Sequence, residues 1–308
     1  MDKWKQKHIL GIKDLSRAEI ELILSQAKSF KEISRRDVKK VPALRGKTVL
    51  NLFFENSTRT RMSFELAAKR LSADVINFSS SISSLSKGES VVDTVKTLDA
   101  YHPDIMVVRI DSSGCLYKFD EYTQASIVNA GDGQNEHPTQ ALLDMFTVQQ
   151  VKGTLEGLKV LIVGDIRHSR VARSNIFGFS KFSSKVTVCG PATFIPYEFE
   201  KIGVDVSCDL DAVIAEADVI IMLRIQKERQ SSSFFPTIRE YVDKFSLTPQ
   251  RLAKTKKNCM VLHPGPVNWD IEISSSLKEK VHPLILKQVE NGLAIRMAVL
   301  YLVGTKKR

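Results

Sequence analysis

Hydrophobic and polar positions along the chain follow two periods. Ser16 and Glu19 form a capping-box pattern, and the apolar residues that follow recur at helical spacing, which predicts a first helix. Short apolar runs rich in β-branched residues come next, at 48–54, 75–78, 105–108 and 126–129, each followed by an amphipathic stretch. Alternation of strand and helix at this interval predicts a parallel sheet with helices on both faces.

A second series of the same kind follows an interruption at residues 151–157. Its apolar runs lie at 159–163, 185–189, 219–223 and 260–262. The sequence therefore predicts an α/β fold with two doubly wound parallel-sheet domains of similar size, at 1–150 and 151–283. A last helix is predicted from about Pro283 to Val303. The C-terminal segment of about 284–308 that contains it is assigned to the first domain, although the apolar face of the helix could pack on either domain.

Composition agrees with two domains and excludes several classes of protein. The 308 residues are 43% hydrophobic and 26% charged, and no run of about 18 apolar residues occurs. We expect a soluble cytoplasmic protein without a membrane partner. The four cysteines are far apart, so neither a disulfide framework nor a zinc site is indicated, and buried free thiols are expected.

The net charge of +10 suits an anionic partner, which could be a nucleic acid, a membrane surface or a small acidic metabolite. The densest basic runs, 254–257 and 306–308, contain no interleaved aromatic residues. We therefore expect them to lie on solvated faces, and we expect no nucleic-acid partner.

The most specific candidate site follows the first apolar run. Ligands bind at the carboxyl ends of parallel strands, and there Ser57, Thr58, Arg59, Thr60 and Arg61 begin a helix. Free backbone N–H groups, three hydroxyls and two guanidinium groups predict a phosphate site. Neither G-x-x-x-x-G-K nor a strand followed by G-x-G-x-x-G is present, so the phosphate belongs to something smaller than a nucleotide.

Other polar residues at strand ends suggest a second ligand. His137 and Gln140 share one face of a helix. His137 could donate a hydrogen bond to a carbonyl oxygen that gains negative charge during a reaction, or it could have a structural role alone. Arg170 and Arg224, with Gln226, suit a dicarboxylate, although structural ion pairs are the alternative. The segment 79–90 is rich in serine and could be a passive surface loop. Because it contains Lys87, we interpret it as a mobile lid.

These residues resemble a known family. Residues 53–65 resemble the carbamoyl-phosphate signature of the aspartate and ornithine carbamoyltransferases, and residues 137–144 resemble their second motif. Residues 224–229 resemble the aspartate-binding segment, residues 86–90 the lysine loop, and residues 263–266 one branch of the aspartate group. The Asp-x-x-x-Ser-Met-Gly and His-Cys-Leu-Pro segments typical of ornithine enzymes are absent. The resemblance therefore favours aspartate.

The resemblance implies a metal-independent transferase without a cofactor. It would move a carbamoyl group from carbamoyl phosphate to L-aspartate, the committed step of de novo pyrimidine biosynthesis, in a cleft between the two domains. The implied phosphate ligands are Ser57, Thr58, Arg59, Thr60 and Arg109. The carbamoyl end would meet Arg59, Thr60, His137 and Gln140, with backbone groups of Gly265 and Pro266 near its nitrogen. Aspartate would be bound by Arg170, Arg224, Gln226 and Lys87.

The resemblance also implies a homotrimer with shared active sites. Lys87 and a serine before it, Ser83 or Ser84 with the spacing favouring Ser83, would reach the neighbouring subunit. A regulatory chain or a dihydroorotase is a possible further partner. One departure is Trp269-Asp270, where the related branch usually has an Arg-Gly pair. Another amine acceptor such as ornithine, or a non-catalytic anion- or nucleic-acid-binding protein, remains an alternative.

Overall fold

The computed structural model of the protein describes residues 4–55, 57–79, 90–225 and 237–306. The chain forms two compact units: unit 1 is Met1–Leu143 with Glu290–Arg308, and unit 2 is Asp144–Val289. Each contains a parallel sheet with helices, so the predicted fold class is confirmed. The limits predicted for the functional domains, 1–150 and 151–283, differ from this division and remain a prediction.

The sheet of unit 1 has four strands in the order β2-β1-β3-β4, and every described pair is parallel. The strands are β1 (Thr48–Phe53), β2 (Asp74–Ser79), β3 (Ile105–Ile110) and β4 (Ser126–Asp132). The helices are α1 (Arg17–Ile33), α2 (Thr58–Arg70), α3 (Val91–Asp99) and the start of α4 (Pro138–Lys152), which continues into unit 2.

The first helix begins as its sequence predicts. Glu19 N donates to Ser16 Oγ at 3.2 Å, and Ser16 N donates to Glu19 Oε2 at 2.8 Å, which completes a capping box. The apolar face of α1 at Ile20, Ile23 and Leu24 is buried.

The sheet of unit 2 has five strands in the order β7-β6-β5-β8-β9. The strands are β5 (Lys159–Val163), β6 (Lys185–Cys189), β7 (Asp205–Ser207), β8 (Val219–Met222) and β9 (Met260–Leu262). The helices are α5 (Arg170–Ser180), α6 (Leu210–Val213), α7 (Ile238–Phe245) and α8 (Pro249–Lys254). The sequence did not predict β7, because three residues at a sheet edge are too short for a recognisable alternation.

The last helix, α9 (Lys278–Gly304), begins before Pro283, where its start was predicted. Its C-terminal part belongs to unit 1, where Arg296 Nη1 donates to Ser63 Oγ of α2 at 2.7 Å. Burial lowers the pKa of Arg296 to about 10. The ring centroids of Phe30 and Tyr301 lie 5.5 Å apart and join α9 to α1.

Two remaining expectations concern cysteines and membranes. Cys189 is buried and Cys115 and Cys259 are partly buried, but Cys208 is exposed, so the expectation of a buried thiol is wrong there. None of the described helices combines the length and the apolar character needed to cross a membrane.

Candidate functional site

The N-terminus of α2 lies directly after β1, where the phosphate site was predicted. Ser57 occupies the N-cap position, but its side chain makes no cap hydrogen bond. The first turn contains no acidic residue, and Thr60 is buried whereas Thr58 and Arg59 are exposed. The helix end therefore combines hydroxyls, a guanidinium group and a positive dipole end, which together favour a bound anion.

Arg109 extends this cationic region from the neighbouring strand. It pairs with Phe53 in the register of β3 on β1, and Phe54 N donates to Arg109 O at 2.9 Å. Arg109 Nε lies 3.4 Å from Glu55 Oε2, and Nη1 donates to Ala130 O at 3.2 Å. Pairing of β1 with β3 thus brings Arg109 to the strand end that precedes α2.

His137 and Gln140 lie at the start of α4, which follows β4, the next strand in the sheet. Both side chains are buried, with 6% and 8% of their surface exposed. His137 O accepts hydrogen bonds from Gln140 N at 2.9 Å and Ala141 N at 3.3 Å, so His137 holds the N-cap position. The predicted site residues of unit 1 that the structure describes therefore lie at or after the carboxyl ends of three adjacent parallel strands, β1, β3 and β4.

Arg170 in unit 2 is buried at the start of α5, with 3% of its surface exposed. Ser169 caps the helix, since Ala172 N donates to Ser169 Oγ at 3.1 Å. The preceding strand end packs tightly: a Cβ on Gly190 would lie 2.3 Å from Gly164 O. Only glycine at position 190 permits this approach of β6 to β5.

Arg224 follows β8, which pairs with β5, and Leu223 N donates to Val163 O at 2.8 Å. The next residue is held by Glu272, a fully buried carboxylate: Ile225 N donates to Glu272 Oε1 at 2.8 Å. Asn268 N donates to Glu272 Oε2 at 2.6 Å. Glu272 therefore connects the Arg224 segment to residues 263–268, and this connection could not be predicted from the sequence because Ile225 lies 47 positions from Glu272.

Residues 263–268 are supported by a chain of hydrogen bonds that are buried except for the partly buried one at Gly265. Gly265 N donates to His263 Nδ1 at 2.8 Å, and His263 N donates to Gln288 Oε1 at 3.1 Å. Gln288 Nε2 donates to Asp144 Oδ1 at 2.7 Å, and Asn175 Nδ2 donates to Asp144 Oδ2 at 2.9 Å. Side chains of α4, α5 and α9 thus fix the backbone at Gly265, whose peptide bond to Pro266 is cis.

Trp269 and Asp270, the departure from the related branch, do not disturb this arrangement. The Trp269 ring is partly buried, with its centroid 6.3 Å from that of His282 and Lys278 Nζ 5.9 Å away, so it packs on α9. Asp270 has φ +65°, a left-handed conformation that glycine adopts readily and aspartate tolerates.

The predicted site residues that the structure describes divide between the units. Unit 1 contains Ser57, Thr58, Arg59, Thr60, Arg109, His137 and Gln140, and unit 2 contains Arg170, Arg224, Gly265 and Pro266. Gln226, Lys87 and Ser83 lie outside the described residues, as does Ser84. Among the described residues, no group of three or more His, Cys, Asp or Glu side chains could hold a metal ion.

Two units, each with a parallel sheet, and cationic residues at the carboxyl ends of strands in both define a two-domain α/β protein with a candidate anion site at the start of α2. Residues 7–150 match the carbamoyl-P binding domain of the aspartate/ornithine carbamoyltransferases, and residues 156–303 match their Asp/Orn binding domain. The chain therefore belongs to the aspartate/ornithine carbamoyltransferase family, which consists of transferases.

Individual relatives agree with this assignment. The aspartate carbamoyltransferase catalytic subunit of Syntrophus aciditrophicus (strain SB) is 55% identical over 301 residues, which cover 98% of each chain. The aspartate transcarbamoylase of Trypanosoma cruzi in complex with carbamoyl aspartate and phosphate is 30% identical, with a TM-score of 0.86 and coverage of 97% of this chain and 96% of that one. The catalytic subunit of M. Jannaschii aspartate transcarbamoylase is 32% identical, with a TM-score of 0.83 and coverage of 96% and 97%.

Proposed function

We propose that the chain transfers the carbamoyl group of carbamoyl phosphate to the amine of L-aspartate, which yields N-carbamoyl-L-aspartate and phosphate. The observation that carries this proposal is the N-terminus of α2. There, Ser57, whose side chain makes no cap hydrogen bond, Arg59 and buried Thr60 lie at the positive end of the helix dipole. Such a terminus suits a dianionic phosphate group.

Carbamoyl phosphate is assigned mainly to residues of unit 1. Ser57, Thr58, Arg59, Thr60 and Arg109 bind its phosphate, and Arg59, Thr60, His137 and Gln140 address its carbamoyl end. The carbonyl oxygens of Gly265 and Pro266 accept from the carbamoyl nitrogen, which is a donor. The buried network behind Gly265 supports this assignment because it fixes the backbone that presents those oxygens.

Aspartate is assigned mainly to cations of unit 2. Arg170 binds the α-carboxylate, and Arg224 binds the β-carboxylate with Gln226 and Lys87. A guanidinium fork bonds a carboxylate at two points, so two arginines distinguish a dicarboxylate from a cationic amino acid such as ornithine. Support comes from their places after β5 and β8, adjacent strands of one sheet.

The reaction follows by direct attack. The aspartate amine adds to the carbonyl carbon, and the oxyanion that forms is stabilised by Arg59, Thr60 and His137. The bond between carbon and the phosphate oxygen then breaks, and the departing phosphate accepts the proton of the amine. No covalent enzyme intermediate is required, because positioning and charge stabilisation lower the barrier.

Relatives support both substrates. The T. cruzi enzyme has been solved in complex with carbamoyl phosphate and aspartate, at 30% identity to this chain, and also with carbamoyl aspartate and phosphate. Relatives at 52–55% identity are aspartate carbamoyltransferase catalytic subunits.

The family resemblance supports three finer proposals. The chain acts in the cytoplasm, at the committed step of pyrimidine biosynthesis, and assembles as a homotrimer in which Lys87 and Ser83 serve the active site of a neighbouring subunit. A regulatory chain or a dihydroorotase would be an additional partner. A solution mass of three times 34.6 kDa supports the trimer, and a monomer contradicts it.

Steady-state kinetics of two arginine variants test the assignment of substrates. Arg59→Ala should nearly abolish formation of carbamoyl aspartate, whereas Arg224→Ala should mainly raise the KM for aspartate. Arg17→Ala removes an arginine whose Nε lies 3.0 Å from Glu21 on the surface of α1, and it should behave as the unmodified enzyme does. Equal, mild effects of Arg59→Ala and Arg224→Ala would count against the proposal.

A further inference from the structure

Two carboxylates are fully buried in the connection between β4 and α4, immediately before His137. Asp132 ends β4 and Glu136 precedes His137, and neither side chain exposes any surface. We infer that Glu136, held in place by Asp132, is a positioning residue that orients His137 for the carbamoyl transfer, an inference that rests on the function proposed above.

Asp132 joins the two ends of this connection through hydrogen bonds. Its Oδ1 accepts from Asn129 Nδ2 at 2.7 Å and from Glu136 N at 3.0 Å, while Oδ2 accepts from Gly114 N at 2.7 Å and Asn135 Nδ2 at 2.9 Å. Asp132 N also donates to Glu136 O at 3.2 Å. Both peptide groups of Glu136 are therefore tied to the end of β4.

The side chain of Glu136 reaches a different part of the chain. Ile12 N donates to Oε2 at 2.7 Å, and Lys13 N donates to Oε1 at 3.3 Å. A Cβ on Gly11 would lie 2.3 Å from Oε1, so the backbone at residue 11 approaches the carboxylate too closely for any side chain. The two oxygens of Glu136 thus bind residues 11–13, which we call the N-terminal strap.

The N-terminal strap is itself fixed to the sheet. Ile9 N donates to Ile127 O at 2.8 Å, and Asn129 N donates to Ile9 O at 2.8 Å, so residue 9 pairs with β4 in parallel. Asn129 Nδ2 donates to Leu10 O at 2.7 Å. Glu136 therefore contacts a backbone whose position is set by the same strand that leads to His137.

These contacts leave the residue before His137 little freedom. Its N–H, its carbonyl and its carboxylate all have defined partners, and His137 O in turn accepts the first hydrogen bonds of α4. A displacement of about 1 Å in a reacting group can cost about 100-fold in rate. Glu136 acts through His137, and we do not place it against either substrate.

Three variants and a double-mutant cycle test the inference. In Glu136→Gln the amide nitrogen must face an N–H group, since both carboxylate oxygens accept. Gly11→Ala displaces the carboxylate without any change of charge. Asp120→Asn is the matched control, because it weakens the contacts of Asp120 with Lys7 at 2.6 Å and His8 at 2.9 Å in the N-terminal region but leaves Glu136 intact. Each is combined with an unmodified His137 and with His137→Ala.

We expect Glu136→Gln and Gly11→Ala to lower kcat on the order of 10- to 100-fold with little change in the KM for carbamoyl phosphate. Asp120→Asn should retain the full kcat. In the His137→Ala background, Glu136→Gln should cause no further loss, since its effect passes through the missing imidazole.

The outcomes separate this inference from the proposed function. If the unmodified enzyme forms no carbamoyl aspartate, the proposed function is wrong. An active enzyme in which Glu136→Gln lowers kcat equally with and without His137 overturns the inference alone, as does an unchanged kcat in Gly11→Ala. If Glu136→Gln fails to fold, Gly11→Ala with and without His137→Ala provides the same cycle.

Discussion

Arg109 and Glu55 form an ion pair beside the N-terminus of α2, with Nε 3.4 Å from Oε2, and Arg109 Nη1 also donates to Ala130 O. Two neighbouring segments of protein thus hold the guanidinium in one orientation. A guanidinium that is oriented by the protein loses less entropy when it bonds a phosphate at two points.

Arg109→Lys should raise the KM for carbamoyl phosphate about 10-fold, because lysine keeps the charge but not the fork or the contact with Ala130. Glu55→Gln, measured in parallel, retains the shape of the partner and should raise KM less. An Arg109→Lys enzyme with an unchanged KM would show that Arg109 does not bind the phosphate.

His263 should matter for stability through its ring nitrogen. His263→Leu leaves the N–H of Gly265 without the Nδ1 acceptor that now lies 2.8 Å away, which should cost about 1–3 kcal/mol in the free energy of unfolding. His263→Asn places an oxygen near the same position and should lose less. Denaturant unfolding of both variants measures the two losses of stability. Equal losses would contradict the role of His263 Nδ1 as the acceptor of the Gly265 N–H.

His8 should make stability depend on pH. Ile127 N donates to His8 Nδ1 at 2.9 Å, which requires a neutral ring nitrogen. Burial lowers the pKa of His8 from its ordinary value of 6.5, Lys7 and Lys306 act in the same direction, and Asp120 opposes them. Since the unfolded chain binds a proton below about pH 6.5 more readily than the folded chain does, stability falls as the pH drops below that value.

Thermal unfolding at pH 7 and pH 5.5 tests this pH dependence. His8→Asn keeps an acceptor near Nδ1 but does not titrate, so its Tm should fall less on acidification than that of the unmodified chain. His102→Asn, at an exposed histidine, serves as the control and should follow the unmodified chain. An identical fall of Tm in His8→Asn would contradict the assignment to His8.

Asp270 should tolerate glycine better than alanine. Its φ of +65° is unfavourable for alanine, and its Oδ1 accepts from Ser275 N at 2.8 Å. Asp270→Gly loses the hydrogen bond but relaxes the backbone, whereas Asp270→Ala loses the bond and keeps the strain. We expect a lower Tm for Asp270→Ala than for Asp270→Gly, and the reverse order would refute this explanation.

Local patterns in the sequence predicted what depends on neighbouring residues. The capping box of Ser16 and Glu19 and the helix that begins after Ser57 need only residues three or four positions apart. Strands β5, β6 and β9 were predicted within their observed limits because buried parallel strands are rich in apolar and β-branched residues. Pro283 misled the prediction of α9, since proline usually marks the first turn of a helix.

Contacts between distant residues could not be predicted in the same way. Glu136 bonds Ile12, which lies 124 positions away, and Gln288 bonds Asp144, which lies 144 positions away. A charged or polar side chain in a sequence gives no sign of whether it will be buried, because burial depends on a fold that places its partners nearby. Residues at strand ends and helix starts could therefore be proposed as substrate ligands from the sequence, whereas the buried residues that support them could not.

The most direct test of the central claim is a comparison of amine acceptors with the purified chain. Carbamoyl phosphate is supplied with L-aspartate or with L-ornithine, and the carbamoylated amino acid is quantified by chromatography. We predict rapid formation of N-carbamoyl-L-aspartate, loss of that product in Arg224→Ala at low aspartate, and no citrulline. Formation of citrulline without carbamoyl aspartate, or of neither product, would contradict the account.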